Sequence, residues 1–513
     1  MQPAAAVFIV GAGPGDPELI SVRGLRLLQR ADVVVYDHRV PPGVLALAGP
    51  DAERIDVGAA APKERDQEAI SYLIAEKARE GRTVVRLKWG DPFVFDSGGK
   101  EAIFLHEQRI RFEIVPGIPL AIAGTASAGV PLTYPGAGDT VVLIRGNEAE
   151  TDAPAHLDWE RLAGLGGTLV CHAGARQIAG ITRALVAHGR PPDESAVLVY
   201  RATTPAQHTI DGTLADIARL AIADTPALLV VGRVAGLREH LRWFDTRPLF
   251  GRRIVVTRAR EQAADLIDRL EALGAETVAM PTIRVVDVED PGPLDGACDV
   301  AGGFDWMVFT SVNGVEHFMR RYLARHDIRH LHGVRICAIG PSTAAAVERY
   351  GIRVDFIPPE FRGEGVAEVF SAGGGAAGKR FLLPRAEAAR ELLGEELRKA
   401  GAEVLEVVAY RTVPDTAQEG PDVYRMLLDR TIDAVTFTSA STVRNFVGLL
   451  GEEQAVDLLR STVVAAIGPV TAQAAQELGI AATIVPEHYT IPALVDALVM
   501  HFQAHAGRLR ERR

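Results

Sequence analysis

The hydrophobic pattern of about the first 130 residues alternates short apolar runs with longer segments of helical spacing. Short runs rich in apolar and β-branched residues occur at 7–10, 33–36, 83–87 and 112–115. Between them, residues 67–80 repeat apolar side chains at the three- and four-residue intervals of a helix. This alternation of strands and helices predicts an open α/β sheet.

The residues that follow these strands are rich in glycine, proline and aspartate. Residues 11–17 read Gly-Ala-Gly-Pro-Gly-Asp-Pro, Asp37 follows the second strand, and 88–93 and 116–119 continue the series. Glycine lets the backbone approach a ligand closely, and a helix start offers free N–H groups. The first loop by itself also fits a plain tight turn, and Asp16 stands where a dinucleotide fingerprint needs a glycine. Because four such loops would meet at the carboxyl edge of one sheet, the pattern predicts a ligand cleft there.

A segment containing Pro and Gly at 131–136 interrupts this pattern and indicates a hinge. Beyond it the alternation resumes, with predicted strands at 141–144, 168–171, 196–200 and 227–231 and predicted helices at 176–188 and 214–221. The sequence therefore predicts a first domain at 1–245, built from two α/β lobes at about 1–133 and 134–245 with a ligand held between them.

After a short polar linker at 246–251, the sequence repeats itself. Phe-Thr-Ser at 309–311 recurs at 437–439, and Ala-Ile-Gly-Pro at 338–341 recurs at 466–469, each 128 residues on. A constant offset indicates a duplicated α/β unit. The second domain is predicted to span 252–505 as two flavodoxin-like lobes that face one cleft, followed by a basic tail at 506–513.

Composition narrows the classes of function. The formal net charge of -11 opposes nonspecific binding to nucleic acid. The cysteines Cys171, Cys298 and Cys337 are widely spaced and form no C-x-x-C pair, which indicates neither a disulfide framework nor a zinc site. With no basic leader before an apolar segment and no apolar run of membrane-spanning length, we expect a cytoplasmic protein without membrane contact.

Six motifs of the first domain together resemble uroporphyrinogen-III C-methyltransferase, a tetrapyrrole methylase. They lie at 11–17, 31–37, 85–95, 115–118, 129–133 and 203–214. The resemblance implies that S-adenosyl-L-methionine binds between the lobes, and that carbons C2 and C7 of uroporphyrinogen III are methylated to give precorrin-2. It also implies Asp37 as the catalytic proton acceptor and a homodimer formed through this domain. The residues that it implies around the cofactor are Pro14, Trp89, Gly90, Asp91, Val94, Thr125, Ala126, Ala173, Ala202 and Ala227.

Four positions depart from the motifs of that family. Trp89 stands where a glycine is usual, and Ala59 stands where a proton-donating lysine is usual, with Lys63 nearby as a candidate substitute. His-Ala-Gly at 172–174 replaces Tyr-Met-Gly, and Tyr-Pro at 134–135 replaces His-Arg. Two hypotheses therefore stay open for the first domain. One is methylation of uroporphyrinogen III, and the other is a catalytically impaired or substrate-shifted methylase.

Hydroxyl side chains recur at predicted strand ends of the second domain. Thr310 and Ser311 open one predicted helix, and Thr438 and Ser439 open another. At such positions a hydroxyl can simply cap the helix, and the free N–H groups can bind carboxylates. Two facing sets of helix starts are typical of a site that holds a polyanion largely by backbone.

Motifs at 256–258, 305–314, 383–386, 408–412 and 489–491 resemble uroporphyrinogen-III synthase. The resemblance implies that hydroxymethylbilane loses its terminal hydroxyl, its last pyrrole ring is inverted, and the macrocycle closes to uroporphyrinogen III without a cofactor. It implies Tyr410 as the catalytic residue that helps the hydroxyl leave; an amphipathic strand-end residue is the alternative. The substrate contacts that it implies are Thr310, Ser311, Ser342, Thr438, Ser439 and Thr471.

The two resemblances predict consecutive steps, because the product of the second domain is the substrate of the first. The sequence therefore predicts a bifunctional enzyme of sirohaem and cobalamin synthesis that acts on small tetrapyrroles, without nucleic acid or metal. An active synthase joined to an impaired methylase is one alternative, and a two-lobed small-molecule sensor without catalysis is another.

Overall fold

The computed structural model describes residues 7–58, 67–146, 157–223, 225–358, 363–372, 375–387, 392–414 and 422–505. Ala59, Lys63 and the predicted tail at 506–513 lie outside these ranges. The chain forms two compact units. The first contains Met1–Arg253, Arg269–Glu276 and Phe502–Arg513, and the second contains Ile254–Asp268 and Thr277–His501. Within the described ranges, no helix is both long enough and apolar enough to cross a membrane.

A parallel five-stranded sheet opens the first unit. Its strands follow the order β3-β2-β4-β1-β5. The strands are β1 Val7–Gly11, β2 Val33–Tyr36, β3 Glu53–Asp56, β4 Val84–Lys88 and β5 Phe112–Val115, and the helices are α1 Val22–Leu28, α2 Pro42–Leu45, α3 Gln67–Arg79, α4 Gly98–Glu107 and α5 Leu120–Ser127. Apolar side chains cover both faces of the sheet, as parallel sheets require. The predicted open α/β sheet is confirmed.

The glycine-rich loop at 11–17 predicts a helix over about residues 18–30, but the α-helix that follows the loop begins only at Val22. Pro17–Leu19 forms a single 3₁₀ turn, in which the side chain of Asp16 accepts a hydrogen bond from the N–H of Glu18. Helix α1 starts only after Ser21, whose side chain accepts from the N–H of Gly24. A serine cap marks a stronger helix start than an acidic residue inside the segment, which accounts for the shift.

The second lobe of the first unit is a mixed sheet with the order β6-β7-β10-β8-β9. Only β6 and β7 run parallel, whereas β10 pairs antiparallel with both β7 and β8, and β9 is antiparallel to β8. The edge strand β9 was not predicted. The strands are β6 Val141–Arg145, β7 Thr168–Ala173, β8 Ser195–Tyr200, β9 His208–Thr213 and β10 Ala227–Val231, and the helices are α6 Trp159–Gly164, α7 Ile178–Ala187, α8 Ile217–Leu220 and α9 Arg238–Leu241.

The second unit contains two sheets, and each combines strands from both halves of the sequence repeat. Their orders are β12-β11-β18-β19 and β13-β17-β16-β14-β15. The strands are β11 Arg253–Val256, β12 Glu276–Ala279, β13 Ile283–Val286, β14 Trp306–Phe309, β15 Arg335–Ala338, β16 Arg380–Ala386, β17 Glu403–Pro414, β18 Ala434–Phe437 and β19 Val463–Ala466. The helices are α10 Arg260–Ala272, α11 Gly292–Val300, α12 Val312–Leu323, α13 Pro341–Glu348, α14 Gly363–Ala372, α15 Leu392–Lys399, α16 Val423–Leu428, α17 Ala440–Leu450, α18 Glu452–Leu459, α19 Pro469–Glu477 and α20 Ile491–Ala504.

The sequence repeat therefore does not coincide with the lobes of the second unit. Strand β11 of the first half pairs with β18 of the second half, and β16 of the second half pairs with β14 of the first. Equivalent strands of the two halves still occupy equivalent places. If the shared strands of each half are numbered one to four along the chain, both sheets contain them in the order two, one, three, four. The chain thus crosses from one sheet to the other after β12 and returns after β17, which joins the halves into one unit.

Candidate functional site

Three glycine-containing loops meet at the carboxyl edge of the first sheet. Gly13 and Gly90 exchange backbone hydrogen bonds of 3.2 and 2.9 Å, which join the loops after β1 and β4. Gly11 lies against the loop after β5, where an added Cβ would stand 2.5 Å from the backbone nitrogen of Gly117. Such contacts admit only glycine, so the loop at 11–17 is fixed by close backbone packing.

Asp91 fastens the same loops through its side chain. Its two carboxylate oxygens accept hydrogen bonds from the N–H of Phe93 at 2.8 Å and from the N–H of Gly117 at 3.0 Å. The neighbouring Trp89 donates its indole N–H to the carbonyl of Pro14 at 3.2 Å. The loops after β1, β4 and β5 therefore form a braced wall.

A cavity of about 460 Å³ lies beside this wall, at the strand ends where the sequence predicts a cleft. This volume is within the usual range of small-molecule sites. The second lobe completes the lining with the end of β6 and with β7. The lining residues are Asp37, His38, Arg39, Gly58, Trp89, Gly90, Asp91, Val94, Phe95, Asp96, Ser97, Lys100, Pro119, Leu120, Arg145, Gly146 and His172.

A network of buried charges stands under this cavity. Arg86 and Lys88 lie two residues apart on β4, so they project from the same face of the sheet toward α4. Both side chains are 1% exposed, and so is that of Glu101 on α4. The guanidinium of Arg86 contacts Glu101 at 3.1 Å and also pairs with Asp37. The Lys88 ammonium lies 2.7 Å from Asp96, 3.2 Å from Glu101 and 3.6 Å from Asp37.

Burial and ion pairing act in opposite directions on Glu101. Its burial alone would raise the pKa of the carboxyl group, but the positive charges of Arg86 and Lys88, with a hydrogen bond from Gln67, bring that pKa below its usual 4.5. Burial likewise opposes the charge of Arg86, yet Glu101 and Asp37 raise the pKa of the guanidinium. Ion pairing therefore favours the charged forms of Arg86 and Glu101 in spite of their burial.

The second unit brings together two residues that the sequence assigns to its site. The hydroxyl oxygens of Ser311 and Tyr410 lie 3.0 Å apart. Ser311 follows β14 and caps α12 by accepting from the N–H of Gly314 at 3.0 Å. Tyr410 lies on β17, is 7% exposed, and faces the ring of His317 at 5.5 Å between centroids. The phenol is thus positioned by a helix cap on one side and by an aromatic contact on the other.

At the equivalent helix start in the other sheet, the described residues place a serine beside the capping hydroxyl instead of a phenol. Ser439 caps α17 as Ser311 caps α12, but its hydroxyl contacts Ser441 at 2.9 Å. Helices α10 and α12, which follow strands of different sheets, are linked by a side-chain hydrogen bond in which the amide of Gln262 donates to Asn313 Oδ1 at 2.8 Å. The capping serine of α12 therefore contacts a tyrosine of β17, whereas the capping serine of α17 contacts another serine.

Comparisons with known proteins match both units. Residues 6–218 match the model of the Tetrapyrrole (Corrin/Porphyrin) Methylases, and residues 264–496 match that of Uroporphyrinogen-III synthase HemD. The porphyrin biosynthesis protein HemD of Ruminiclostridium josui is 34% identical over 502 residues, which cover 96% of this chain and 97% of that protein. The chain belongs to this family of fused porphyrin-biosynthesis proteins. It is an enzyme of tetrapyrrole biosynthesis that joins a uroporphyrinogen-III C-methyltransferase part to a uroporphyrinogen-III synthase part.

Two of the other matches each cover somewhat less than half of this chain. The siroheme synthase of Neisseria meningitidis serogroup B is 48% identical over 241 residues, which are 47% of this chain and 50% of that protein. The uroporphyrin-III C-methyl transferase of Thermus thermophilus complexed with S-adenyl homocysteine is 36% identical, with a TM-score of 0.40. It covers 45% of this chain and 99% of its own.

The ten residues predicted around the cofactor of the methylase divide into two groups. Trp89, Gly90, Asp91 and Val94 line the cavity, and the carbonyl of Pro14 is bonded to Trp89. The other residues do not line that cavity, and all except Ala126 are buried. Thr125 and Ala126 lie on α5, and Ala202 lies beside Gly124 of the same helix. Ala173 on β7 is paired with Ala227 on β10. The hydroxyl of Thr125 donates to the carbonyls of residues 121 and 122 within its own helix.

The residues predicted to contact substrate in the synthase lie at the carboxyl ends of parallel strand pairs. Thr310, Ser311 and Ser342 follow β14 and β15, while Thr438, Ser439 and Thr471 follow β18 and β19. Ser342 is exposed, whereas Thr471 is only 4% exposed. The repeat offset relates Thr471 to the buried Thr343 rather than to Ser342, so the predicted pair of contacts is not equivalent.

Several charged residues of the methylase site were not predicted. Arg86, Lys88 and Glu101 form the network, and Asp96, Lys100 and Arg145 line the cavity. Charged residues at positions i and i+2 of an otherwise apolar strand are a signal for this site, because buried charges are rarely kept without partners. The cations that line the cavity carry no such pattern in the sequence.

Proposed function

We propose that the synthase part closes hydroxymethylbilane to uroporphyrinogen III with inversion of the last pyrrole ring. We propose further that the methylase part methylates this product at C2 and C7 with S-adenosyl-L-methionine to give precorrin-2. The family membership of both parts supports the proposal, and so does the fused relative that this chain matches over nearly its whole length. The two reactions are consecutive, so one chain supplies its own substrate.

The contact between Ser311 and Tyr410 supports a proton donor in the synthase. The terminal hydroxyl of hydroxymethylbilane leaves as water when its carbon–oxygen bond breaks and a proton is supplied. Tyr410 can donate the proton, while Ser311 at 3.0 Å can donate in turn to the phenol oxygen. The N–H groups at the starts of α12 and α17 favour the carboxylates of the substrate.

The cavity of the methylase fits S-adenosyl-L-methionine in chemistry as well as in size. It offers an aromatic face from Trp89, an apolar contact from Val94, a carboxylate from Asp91, and open space over the Cα of Gly90, where an added Cβ would meet nothing closer than 3.8 Å. When bound, this cofactor supplies an activated methyl group. The chain's own residues hold the two reactants in line and exclude water, which is where most of the rate comes from.

Asp37 is the proton acceptor in this proposal. It lines the cavity, it is 27% exposed at its side chain, and the cations of Arg86 and Lys88 stand behind it. The proton that the tetrapyrrole loses after methylation can therefore move to Asp37 and on to solvent.

The proposal rests on one observation. Asp37 in the first unit lies beside the cations of Arg86 and Lys88, and Tyr410 in the second unit lies within hydrogen-bond distance of Ser311. The test is a crossed pair of variants assayed on hydroxymethylbilane and on uroporphyrinogen III. Asp37→Asn is expected to lose methylation and to keep cyclisation, and Tyr410→Phe is expected to lose cyclisation and to keep methylation of added uroporphyrinogen III. A variant that loses both reactions while remaining folded would contradict the division of labour.

A second candidate is an active synthase with a methylase that binds ligand without turnover. The indole of Trp89 favours it, because its bond to Pro14 occupies a loop carbonyl that a glycine would leave open to a ligand. Binding of S-adenosylhomocysteine by the wild-type protein without methylation of uroporphyrinogen III would select this candidate.

We also propose that the protein is a cytoplasmic homodimer formed through the methylase, as the family resemblance implies, and that it acts without nucleic acid. Light scattering of the purified protein tests the dimer, and a monomer at micromolar concentration would contradict it.

A further inference from the structure

Two carboxylates of the methylase cavity are tied to the same buried ammonium. The Lys88 ammonium lies 2.7 Å from Oδ1 of Asp96 and 3.6 Å from Oδ2 of Asp37. It also donates to Ser97 Oγ at 2.8 Å and to Glu101 Oε1 at 3.2 Å. The three ammonium hydrogens therefore have acceptors inside the protein, and the lysine acts as a fixed support for both aspartates.

The carboxylates of the two aspartates can accept further hydrogen bonds from the side of the cavity. Both line it, with side chains 27% and 20% exposed for Asp37 and Asp96. The contacts of Asp96 within the described residues use Oδ1, which meets Lys88 and the N–H and hydroxyl of Ser97. A metal ion is not needed between these carboxylates, because the Lys88 ammonium already occupies that place. The carboxylate oxygens of Asp37 and Asp96 can therefore accept hydrogen bonds from N–H or O–H groups of a ligand.

Charges of opposite sign lie closer to solvent along the same lining. Lys100 on α4 and Arg145 at the end of β6 are exposed, and neither forms an ion pair within the part of the chain that the structure describes. A ligand complementary to the part of the cavity that Asp37, Asp96, Lys100 and Arg145 line has N–H donors at its centre and carboxylates at its periphery. A porphyrinogen with acidic side chains has that distribution of groups.

We propose that Asp96 is a second ligand-facing carboxylate of the methylase, which together with Asp37 accepts hydrogen bonds from the pyrrole N–H groups of the tetrapyrrole while Lys100 and Arg145 face its carboxylates. This inference rests on the proposed function of the methylase. In a porphyrinogen the saturated bridging carbons let the pyrrole rings tilt, so several N–H groups can point to one face. In a flat porphyrin the N–H groups lie in the ring plane and point inward. The aspartate pair therefore selects the reduced macrocycle.

The charges of the network allow Asp96 to be replaced by a neutral residue without leaving an unpaired cation. Two cations, Arg86 and Lys88, are matched by the three carboxylates of Asp37, Asp96 and Glu101. Removing one carboxylate at the cavity leaves as many anions as cations, so Asp96→Asn is expected to fold. The asparagine can still accept from Lys88, but its amide N–H groups compete with the pyrrole donors. Asp96→Glu restores the charge and serves as the conservative variant.

The test compares the reduced substrate with its oxidised form. For each protein we would measure anaerobically the KM for uroporphyrinogen III, the inhibition constant of uroporphyrin III, and the KM for S-adenosyl-L-methionine. Asp96→Asn is expected to raise the KM for uroporphyrinogen III about tenfold or more, the usual size of a lost hydrogen bond to a charged group, while the inhibition constant of uroporphyrin III changes less than about threefold. Asp96→Glu should recover part of the loss. Glu107→Gln, which removes an exposed charge at the end of the same helix, is the matched control and should change none of the three constants.

Other outcomes would overturn the inference in distinguishable ways. If uroporphyrinogen III and uroporphyrin III weaken together, Asp96 supports the fold of the cavity and does not select the reduced ring. If only the KM for S-adenosyl-L-methionine rises, Asp96 faces the cofactor. If the wild-type protein produces no methylated tetrapyrrole at all, the proposed function of the methylase fails and this inference fails with it.

Discussion

The hydroxyl groups of Ser311 and Tyr410 lie 3.0 Å apart, although 99 positions of sequence separate the two residues. The contact joins a helix cap after β14 to the strand β17, which is its neighbour but one in the same sheet. Because the two strands come from different halves of the repeat, the exchange of strands between the halves brings the pair together. The other helix start carries Ser441 in place of a phenol.

Tyr410→Phe is expected to reduce formation of uroporphyrinogen III about a hundredfold or more, since a positioned proton donor contributes that much to a reaction. Hydroxymethylbilane would then close spontaneously to the type I isomer. Chromatography of the oxidised products measures the ratio of the isomers. Tyr424→Phe, which removes an exposed phenol on α16, is the control. An unchanged type III yield in Tyr410→Phe would show that the phenol is only a packing residue.

Trp89 is expected to brace the cofactor wall of the methylase. Trp89→Phe keeps a ring in the cavity but removes the 3.2 Å bond to the Pro14 carbonyl, and a bond of that kind contributes about 1 kcal/mol. We therefore expect S-adenosylhomocysteine to bind about fivefold more weakly to Trp89→Phe and more weakly again to Trp89→Gly, as measured by calorimetry. Tighter binding to Trp89→Gly than to wild type would instead support the impaired methylase.

The sequence predicts the ends of several strands correctly but not how distant segments meet. The pattern of apolar residues places β2, β5 and β10 at the observed residues, because a charged residue, proline or glycine borders each of them. It misses β9, His208–Thr213, whose side chains are only half-buried or exposed at the edge of its sheet. It also reveals the repeat without revealing that β11 pairs with β18, since a repeat specifies equivalent strands but not their partners.

The same limit applies to the sites. Asp37 and the loops after β1 and β4 follow from strand ends, which one sheet edge necessarily collects. The contact of Arg86 with Glu101 depends on how α4 packs over β4, and the pairing of Ser311 with Tyr410 depends on the exchange of strands between the halves of the repeat. Neither relationship has a signature in local spacing.

Glu101 is expected to stabilise the methylase in a pH-dependent way. Its folded pKa lies below the usual 4.5, so its contribution is fully present above about pH 4.5 and is lost as the pH falls through the folded pKa. Glu101→Gln removes the buried carboxylate that contacts both Arg86 and Lys88 and is expected to lower the free energy of unfolding by about 3 kcal/mol near neutral pH. Urea denaturation measures this difference, which should shrink in acid. Glu107→Gln is again the matched control, and a difference that does not change with pH would contradict the assignment.

The three cysteines are expected to be unreactive in the native protein. All are buried and free, and burial raises the pKa of Cys171 and Cys337 to about 12 and that of Cys298 to about 11. Since the thiolate is the reactive form, a thiol reagent at mildly alkaline pH should label none rapidly before unfolding and all three in denaturant. Rapid labelling of any one thiol in the native protein would contradict its burial.

Incubation of the purified wild-type protein with hydroxymethylbilane, with and without S-adenosyl-L-methionine, tests the whole account most directly. Without the methyl donor, we expect uroporphyrinogen III, and with it we expect precorrin-2 carrying two added methyl groups, as identified by anaerobic chromatography and mass spectrometry. Uroporphyrinogen I alone under both conditions would contradict the synthase, and uroporphyrinogen III that never gains a methyl group would contradict the methylase.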